Sequence, residues 1–301
     1  MIKKILYYLK HPKFILLRLD NLGMIRLSDK YFISLKYLEK FEKKINLKAP
    51  KTFNEKLQWI KLNDRKNIYT TMVDKYEAKK FISNIIGNEY IIPTIGIYDN
   101  FDEINFDYLP NKFVIKCTHY SGDVIICNDK KKFDILKAKI KINKILKKNL
   151  FYFAREWPYK NLKPRIIIEE LLENPNGDDL KDYKIFCFNG KAKLFKIDFD
   201  RFTDHRANYY DLEKKILPFG EEICPPDFDK DLLIPKSVDE MMRIASILSK
   251  DTFFLRVDFY EVHGKIYFGE LTFFPAAGFG KFIPEDWDKK LGDLIELPKE
   301  K

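Results

Sequence analysis

Phe253-Phe254-Leu255-Arg256-Val257-Asp258-Phe259-Tyr260-Glu261-Val262-His263-Gly264-Lys265-Ile266-Tyr267-Phe268-Gly269-Glu270-Leu271-Thr272-Phe273 is the stretch whose reading decides the fold. Aromatic and β-branched residues dominate it, and Gly264 marks a turn between two strands. An odd-length loop centred on Gly264 sets Asp258 opposite Glu270 and Arg256 opposite Thr272. Alternation then gathers these four polar groups on one face, with Leu255, Val257, Phe259, Tyr267, Leu271 and Phe273 on the other. Two facing carboxylates repel. A divalent cation such as Mg²⁺, held by one or two carboxylates plus substrate phosphates, relieves that repulsion. A two-residue His263-Gly264 turn is the ordinary alternative and would put Asp258 and Glu270 on opposite faces. Spacing alone leaves both open.

Composition bounds the rest. The 301 residues suffice for a large core, as one domain or as two to three lobes. A hydrophobic share of 46% and an aromatic share of 15% exclude a disordered chain. Cys117, Cys127, Cys187 and Cys224 form no CxxC pair and read as buried thiols of a reducing compartment. No apolar run reaches the roughly 18–20 residues of a transmembrane helix, and no secretory signal is present, so the expected location is cytoplasmic. The net charge of +10 favours an anionic partner, although the 55 Lys and Arg are scattered among 45 acids and much of the lysine reads as solvated surface.

Residues 1–20 carry Ile2, Ile5, Leu6, Leu9, Phe14, Leu16 and Leu17 among lysines. Such a basic amphipathic segment can lie peripherally on an anionic membrane or dock its apolar face on the protein, the commoner use. Residues 31–46 have helical spacing, Thr52-Phe53-Asn54-Glu55 matches a capping box, and Asp74 reads as an N-cap. A strand is expected from Tyr90 to Tyr98. Phe113 to Cys117 and Val124 to Cys127 form two strands around a Ser121-Gly122 loop, where Lys116 and backbone N–H groups can meet phosphate. Residues 130–150 read as a lysine-rich helix. There is no basic-aromatic module such as an RNP motif, so no nucleic-acid partner is expected. Arg165 to Leu172 is a buried strand ending in acids, followed by a Pro175/Gly177 turn. Asp182 to Ile197 forms a hairpin through Asn189-Gly190. Arg201, His205, Arg206, Tyr209 and Tyr210 read as a polar loop, Ser237-Val238-Asp239-Glu240 as a second capping box, and the Pro275 to Gly280 tail as a loop open to close ligand approach.

Together these pieces resemble the ATP-grasp superfamily, and within it the TupA-like branch of bacterial polysaccharide and teichuronopeptide biosynthesis proteins. The resemblance rests on Thr52-Phe53-Asn54-Glu55-Lys56, Asp74-Lys75-Tyr76, Leu109-Pro110 with Val114 to His119, Glu156-Trp157, Pro164 to Glu170, Asp182-Tyr183-Lys184, Arg256-Val257-Asp258 and Phe268 to Thr272. It runs from about residue 30 to about 285. It implies an α+β fold with nucleotide held between two lobes of antiparallel sheet. A helical region, 1–73, would precede an ATP-grasp domain, 74–301, with its small lobe at about 111–170 and its large lobe at about 171–290. Lys75 and Lys116 then match the nucleotide lysines, with Ser121 and Gly122 at the phosphates. Glu169, Glu170, Leu171 and Leu172 resemble the adenine hinge, and Asp182 the ribose acid. Asp258 and Glu270 match the Mg²⁺ carboxylates, which favours the odd loop. Arg256 matches the arginine that steadies oxyanion and phosphate, with Lys184 and Arg206 as further catalytic candidates.

Two departures stand out. Thr272 occupies the place of the superfamily's third metal ligand, an Asn, and its hydroxyl is a poorer ligand than an amide carbonyl. The phosphate loop is short and poor in glycine. The resemblance implies ATP and Mg²⁺ as cofactors and a carboxylate–amine ligase acting through an acylphosphate. Its substrates would be an anionic sugar or sugar-lipid acceptor and an amine, such as an amino acid joined to a uronic acid. The alternatives are a kinase on the same fold, or a glycosyltransferase in which Asp198-Phe199-Asp200 or Asp227-Phe228-Asp229 serves as a DxD pair.

Overall fold

The structure, a computed structural model, describes residue 8 and residues 10–174, 180–201, 203–230 and 232–298. Ile2, Ile5, Leu6 and Leu9, and the Pro175/Gly177 turn, lie outside the described residues. Helix α1 (Ile15–Asn21) and the turn before it bury Leu17 and Phe14 against Phe32 and Leu35 of α2 (Asp29–Phe41), so this part of the basic N-terminal segment docks on the protein. Helix α3 (Phe53–Asn63) starts at the capping box that its sequence announces, Thr52 and Glu55 each satisfying the other's backbone N–H. Its Phe53, Leu57 and Ile60 belong to the same core as the large sheet, so α3 packs as part of that lobe, while α1 and α2 form a cluster of their own. Helices α4 (Ile68–Val73) and α5 (Glu77–Ile86) follow, and between them Asp74 accepts from Tyr76 and Glu77 N–H at 2.9 and 3.0 Å.

The first sheet contains β1 (Thr94–Tyr98), β2 (Phe113–Cys117), β3 (Ile125–Cys127) and β4 (Ile166–Glu170), in the antiparallel order β1-β4-β2-β3. Strand β1 starts later than expected, because a 3-10 turn holds Asn88–Tyr90 and Pro93 has no N–H to give a ladder. The sheet also reaches upstream of residue 111, through β1. Its outer face, Phe113, Ile115, Cys117, Ile166 and Ile168, packs under Ala138, Ile142 and Ile145 of α6 (Ile135–Leu146). That helix is shorter than the 130–150 expected, since Asp134 caps it and a separate 3-10 turn takes Lys130–Lys132. A short α7 (Leu150–Ala154) leads on.

The second sheet contains β5 (Asp182–Phe188), β6 (Lys191–Phe199), β7 (Arg206–Tyr210), β9 (Phe254–Val262) and β10 (Lys265–Thr272), ordered β10-β9-β5-β6-β7. A small ladder joins β8 (Gly220–Glu221) to β11 (Phe282–Ile283). Strand β7 corrects the loop expected there. Tyr209 stacks on Phe219 at 4.2 Å and Tyr210 on Phe195 at 5.1 Å, so aromatic burial on both faces holds the segment in the sheet. Helix α8 (Ser237–Leu248) lays Val238, Met241, Ile244, Ala245 and Leu248 in the core. Its expected capping box is not formed. Lys236 is the N-cap, and the Pro235 and Lys236 carbonyls take the first N–H groups instead of the Ser237 hydroxyl. Helix α9 (Asp286–Asp293) presses Gly292 against the backbone of Lys51 to Phe53 so closely that a Cβ there would lie 2.4 Å from the Lys51 carbonyl oxygen. All four cysteines are free and buried, and no described helix is long and apolar enough to cross a membrane.

The β9–β10 hairpin corrects the odd loop. The turn has two residues, His263 at φ 54° and Gly264 at φ 75°. Pairing runs in even register from Val262↔Lys265 to Phe259↔Phe268, then shifts by one residue at Gly269. The bulge restores Asp258↔Glu270 and Arg256↔Thr272. Gly269 permits it: a Cβ there would lie 3.0 Å from the Asp258 carbonyl oxygen.

Candidate active site

Because β9 and β10 are adjacent, Arg256, Asp258, Glu270 and Thr272 share one face of the sheet. Arg256 grips Asp258 with two hydrogen bonds, Nε to Oδ1 at 2.6 Å and Nη2 to Oδ2 at 2.7 Å. The same Nη2 donates to Thr272 Oγ1 at 3.1 Å and reaches Glu270 Oε1 at 3.4 Å. Asp258 is buried, whereas the Glu270 side chain keeps 34% of its surface exposed. Burial pushes the Glu270 carboxyl upward, but Lys75, Arg256, Lys184 and Lys116 outweigh it and hold it down at about 2. Two carboxylates and a hydroxyl offer only hard oxygen donors, which suits Mg²⁺. Each Asp258 oxygen already accepts from Arg256, so a cation there would share those oxygens with the guanidinium.

The sheet register extends this face inward. Lys184 on β5 pairs opposite Asp258, and its Nζ lies 3.3 Å from Asp258, 3.0 Å from Asp182 and 3.5 Å from Asp198. These three acids overcome burial and raise the Lys184 pKa. Beyond it, Lys196 bridges Asp198 at 3.3 Å and Glu221 at 3.1 Å, and Tyr209 donates to Glu221 at 2.8 Å. Arg201 closes on Asp182 at 2.5 Å. Asp198, His205 and Cys224 bring one ligand atom each within 4.8 Å of one another. Asp198 is already neutralised by two buried ammonium groups, so a cation there would have to displace them.

On the facing side of the small sheet, Lys116 sits diagonally across from Glu169, and Val114 pairs with it directly. Glu169 is buried and receives Lys116 at 2.7 Å and Lys79 on its other oxygen. Burial alone would raise its carboxyl, but the two lysines hold it at about 2. The same pairing, against desolvation, pushes Lys116 up to about 12. Burial wins at Lys79, whose pKa falls. Lys75 joins the two lobes: its Nζ donates to the Tyr120 carbonyl at 2.9 Å and lies 3.6 Å from Glu270. Ser121 and Gly122 are exposed between β2 and β3, with open space around the Gly122 Cα. Glu170 ends β4 at the surface, with Leu171 and Leu172 half-buried just beyond it.

The structure therefore brings Lys75, Asp182, Lys184, Arg256, Asp258, Glu270 and Thr272 into one network of ion pairs and hydrogen bonds, and Lys116, paired with Glu169, acts on Glu270 through its charge. Arg206 stands apart, at the start of edge strand β7 and paired with Asp204. In the first DxD triplet both acids are engaged, Asp198 buried among lysines and Asp200 paired with Lys230, while in the second Asp227 accepts the Asp229 N–H. Sequence reasoning missed Lys79, Lys196, Arg201 and Glu221, which are placed by contacts between distant segments. It also missed what holds the turn after β10. There Ala276, Ala277 and Gly278 have φ of 45°, 54° and 63°. Asn54, Gln58 and Lys61, one stripe of α3, donate to the Gly280, Gly278 and Ala277 carbonyls at 2.8, 2.6 and 2.6 Å.

A family model described as TupA-like ATPgrasp matches residues 55–296. The chain belongs to that family. A search of curated proteins finds no match. Among solved structures it is similar to D-alanine–D-alanine ligase from Bacillus anthracis complexed with ATP, at 17% identity and TM-score 0.38, covering 67% of this chain and 53% of that one. It is also similar to phosphoribosylamine–glycine ligase from Thermotoga maritima, at 14% identity and TM-score 0.41, covering 68% and 48%. The chain thus spans about half the length of these two ligases.

Proposed function

We propose that this TupA-like ATP-grasp protein is an ATP- and Mg²⁺-dependent carboxylate–amine ligase. The observation that carries the reading is the Arg256 guanidinium, which touches Asp258, Glu270 and Thr272 at once on a face backed by Lys184. Phosphoryl transfer asks a protein for positioning and positive charge more than for a nucleophile. Asp258, Glu270 and Thr272 would hold Mg²⁺, which would supply positive charge against the phosphate oxygens. Lys75 and Lys116 reach the nucleotide phosphates from the small lobe. A carboxylate oxygen of the acceptor attacks the γ-phosphorus, giving an acylphosphate and ADP. The amine then attacks the acyl carbon, an amide C–N bond forms, and phosphate leaves with the carboxylate oxygen. Arg256 and Lys184 stabilise the negative charge that builds in both steps. The acceptor is an anionic sugar, such as a uronic acid, and the amine an amino acid, in assembly of a cell-surface polysaccharide.

The test is isotopic. The protein is incubated with ATP, Mg²⁺, carboxylate-¹⁸O glucuronate and a mixture of amino acids. Amine-dependent transfer of ¹⁸O into phosphate is expected. Phosphorylated sugar with no label in free phosphate assigns the protein to hydroxyl phosphorylation instead.

A further inference from the structure

Nine lysines and one acid, Asp134, lie between Lys130 and Lys148, so this stretch carries +8 beside a whole-chain charge of +10. Five of these lysines are engaged. Lys130 caps the carbonyls of Phe106, Asp107 and Leu109, Lys132 lies 4.0 Å from Asp129, Lys139 meets Asp102, and Lys141 and Lys148 flank Asp123. Lys131, Lys137, Lys144 and Lys147 have no ion-pair partner among the described residues. Helix α6 buries Ala138, Ile142 and Ile145. At about 100° per residue, Leu136 and Ile140 fall on the opposite side, with Lys144 and Lys147 beside them. Leu136 is 67% exposed and Ile140 64%. A helix that merely coats a soluble lobe puts polar residues there.

We propose that the outer face of α6 is a docking surface for an anionic lipid bilayer. The pattern combines two requirements of interfacial binding, apolar side chains at the point of contact and unpaired lysines around them. A nucleic acid would be served by the lysines but gives Leu136 and Ile140 nothing to do. The orientation is also workable. Helix α6 covers the outer face of the small sheet, whereas Lys116 and Glu169 are on the inner one, so docking leaves the nucleotide side free. The described part of the N-terminal segment turns its Phe14 and Leu17 inward, so its apolar face is already used.

Co-sedimentation of the full chain with vesicles tests this. Wild type is expected to pellet with equimolar phosphatidylcholine–phosphatidylglycerol vesicles at about 0.1 M salt and to be released at about 1 M, where the screening length shrinks to about 3 Å. It should stay in solution with phosphatidylcholine alone. Leu136→Glu with Ile140→Glu, and separately Lys137, Lys144 and Lys147→Glu, should each cut pelleting about tenfold or more, with unchanged thermal unfolding. Leu136→Ala with Ile140→Ala should give a smaller loss of the same sign. Wild type that ignores anionic vesicles, or variants that pellet as wild type does, overturn the proposal. So does a labelled duplex RNA that binds more tightly than the vesicles and responds to the lysine variant but not to Leu136→Ala with Ile140→Ala.

Discussion

The large-lobe charge face and the small-lobe Ser121–Gly122 loop have opposite architectures. On the large-lobe face every acid is matched at short range: Asp258 by Arg256 and Lys184, Asp182 by Lys184 and Arg201, Asp198 by Lys184 and Lys196. The small-lobe loop at Ser121 and Gly122 is exposed, with room around its glycine. The difference teaches where specificity is built. Buried charges hold one geometry because breaking any pair strands its partner. An exposed loop takes its geometry from what binds it.

If that contrast is right, the largest effect belongs to Asp258→Asn. It removes one carboxylate of the proposed cation site and leaves Arg256 and Lys184 short of an acid. The expected loss in turnover is on the order of 10³-fold, with about 3 kcal/mol of stability. Steady-state ADP release and a denaturant melt check the two. A protein that keeps its activity would show that the charge face is structural only.

Next comes Glu169→Gln, which strands Lys79 and Lys116 in the small lobe. About 3 kcal/mol should be lost at neutral pH. Its carboxyl is held at about 2 in the folded protein against an ordinary 4.5. The stabilisation is therefore complete above 4.5 and disappears as pH falls from there towards 2. Unfolding midpoints of wild type and variant should converge over that interval. A gap of constant size would mean that packing, not charge, is what the glutamine disturbs.

Gly269→Ala ranks third. Its Cβ would press on the Asp258 carbonyl oxygen at 3.0 Å and the Tyr260 ring at 3.3 Å, both at the bulge that sets Glu270 across from Asp258. A loss of about 1–2 kcal/mol is expected, with a larger fall in turnover than in ATP affinity, because the strain sits beside the two carboxylates. Equal falls would uncouple the bulge from the chemistry.

That bulge also marks where sequence reasoning stops. Local signals were legible: Thr52 with Glu55 opens α3, and Asn189-Gly190 closes a hairpin, since each involves neighbours in the chain. The facing of Asp258 and Glu270 was legible as an outcome but not as a mechanism. Spacing left the turn open and the resemblance favoured an odd one, whereas an even turn and an extra residue at Gly269 give the same pairing. A lone glycine inside a strand was the available signal. Arg201, Lys79 and the α3 stripe of Asn54, Gln58 and Lys61 left no comparable mark. Their roles exist only once α3 lies on the turn after β10 and α5 on β4.

The smallest effect should come from the open loop, in Ser121→Ala. The Ser121 side chain is exposed, so stability should shift by less than about 0.5 kcal/mol. Any change belongs in ATP affinity, at about threefold or less, because backbone N–H groups and Lys116 remain to meet the phosphates. Gly122, at φ 77°, is the sharper probe: alanine there has space but strains the backbone. If Gly122→Ala raises the KM for ATP well beyond Ser121→Ala while both melt as wild type does, the loop grips nucleotide through its backbone shape. If the two variants are indistinguishable from wild type in KM, the phosphates are held by Lys75, Lys116 and the large-lobe face, and the contrast between the lobes is one of function as well as of order.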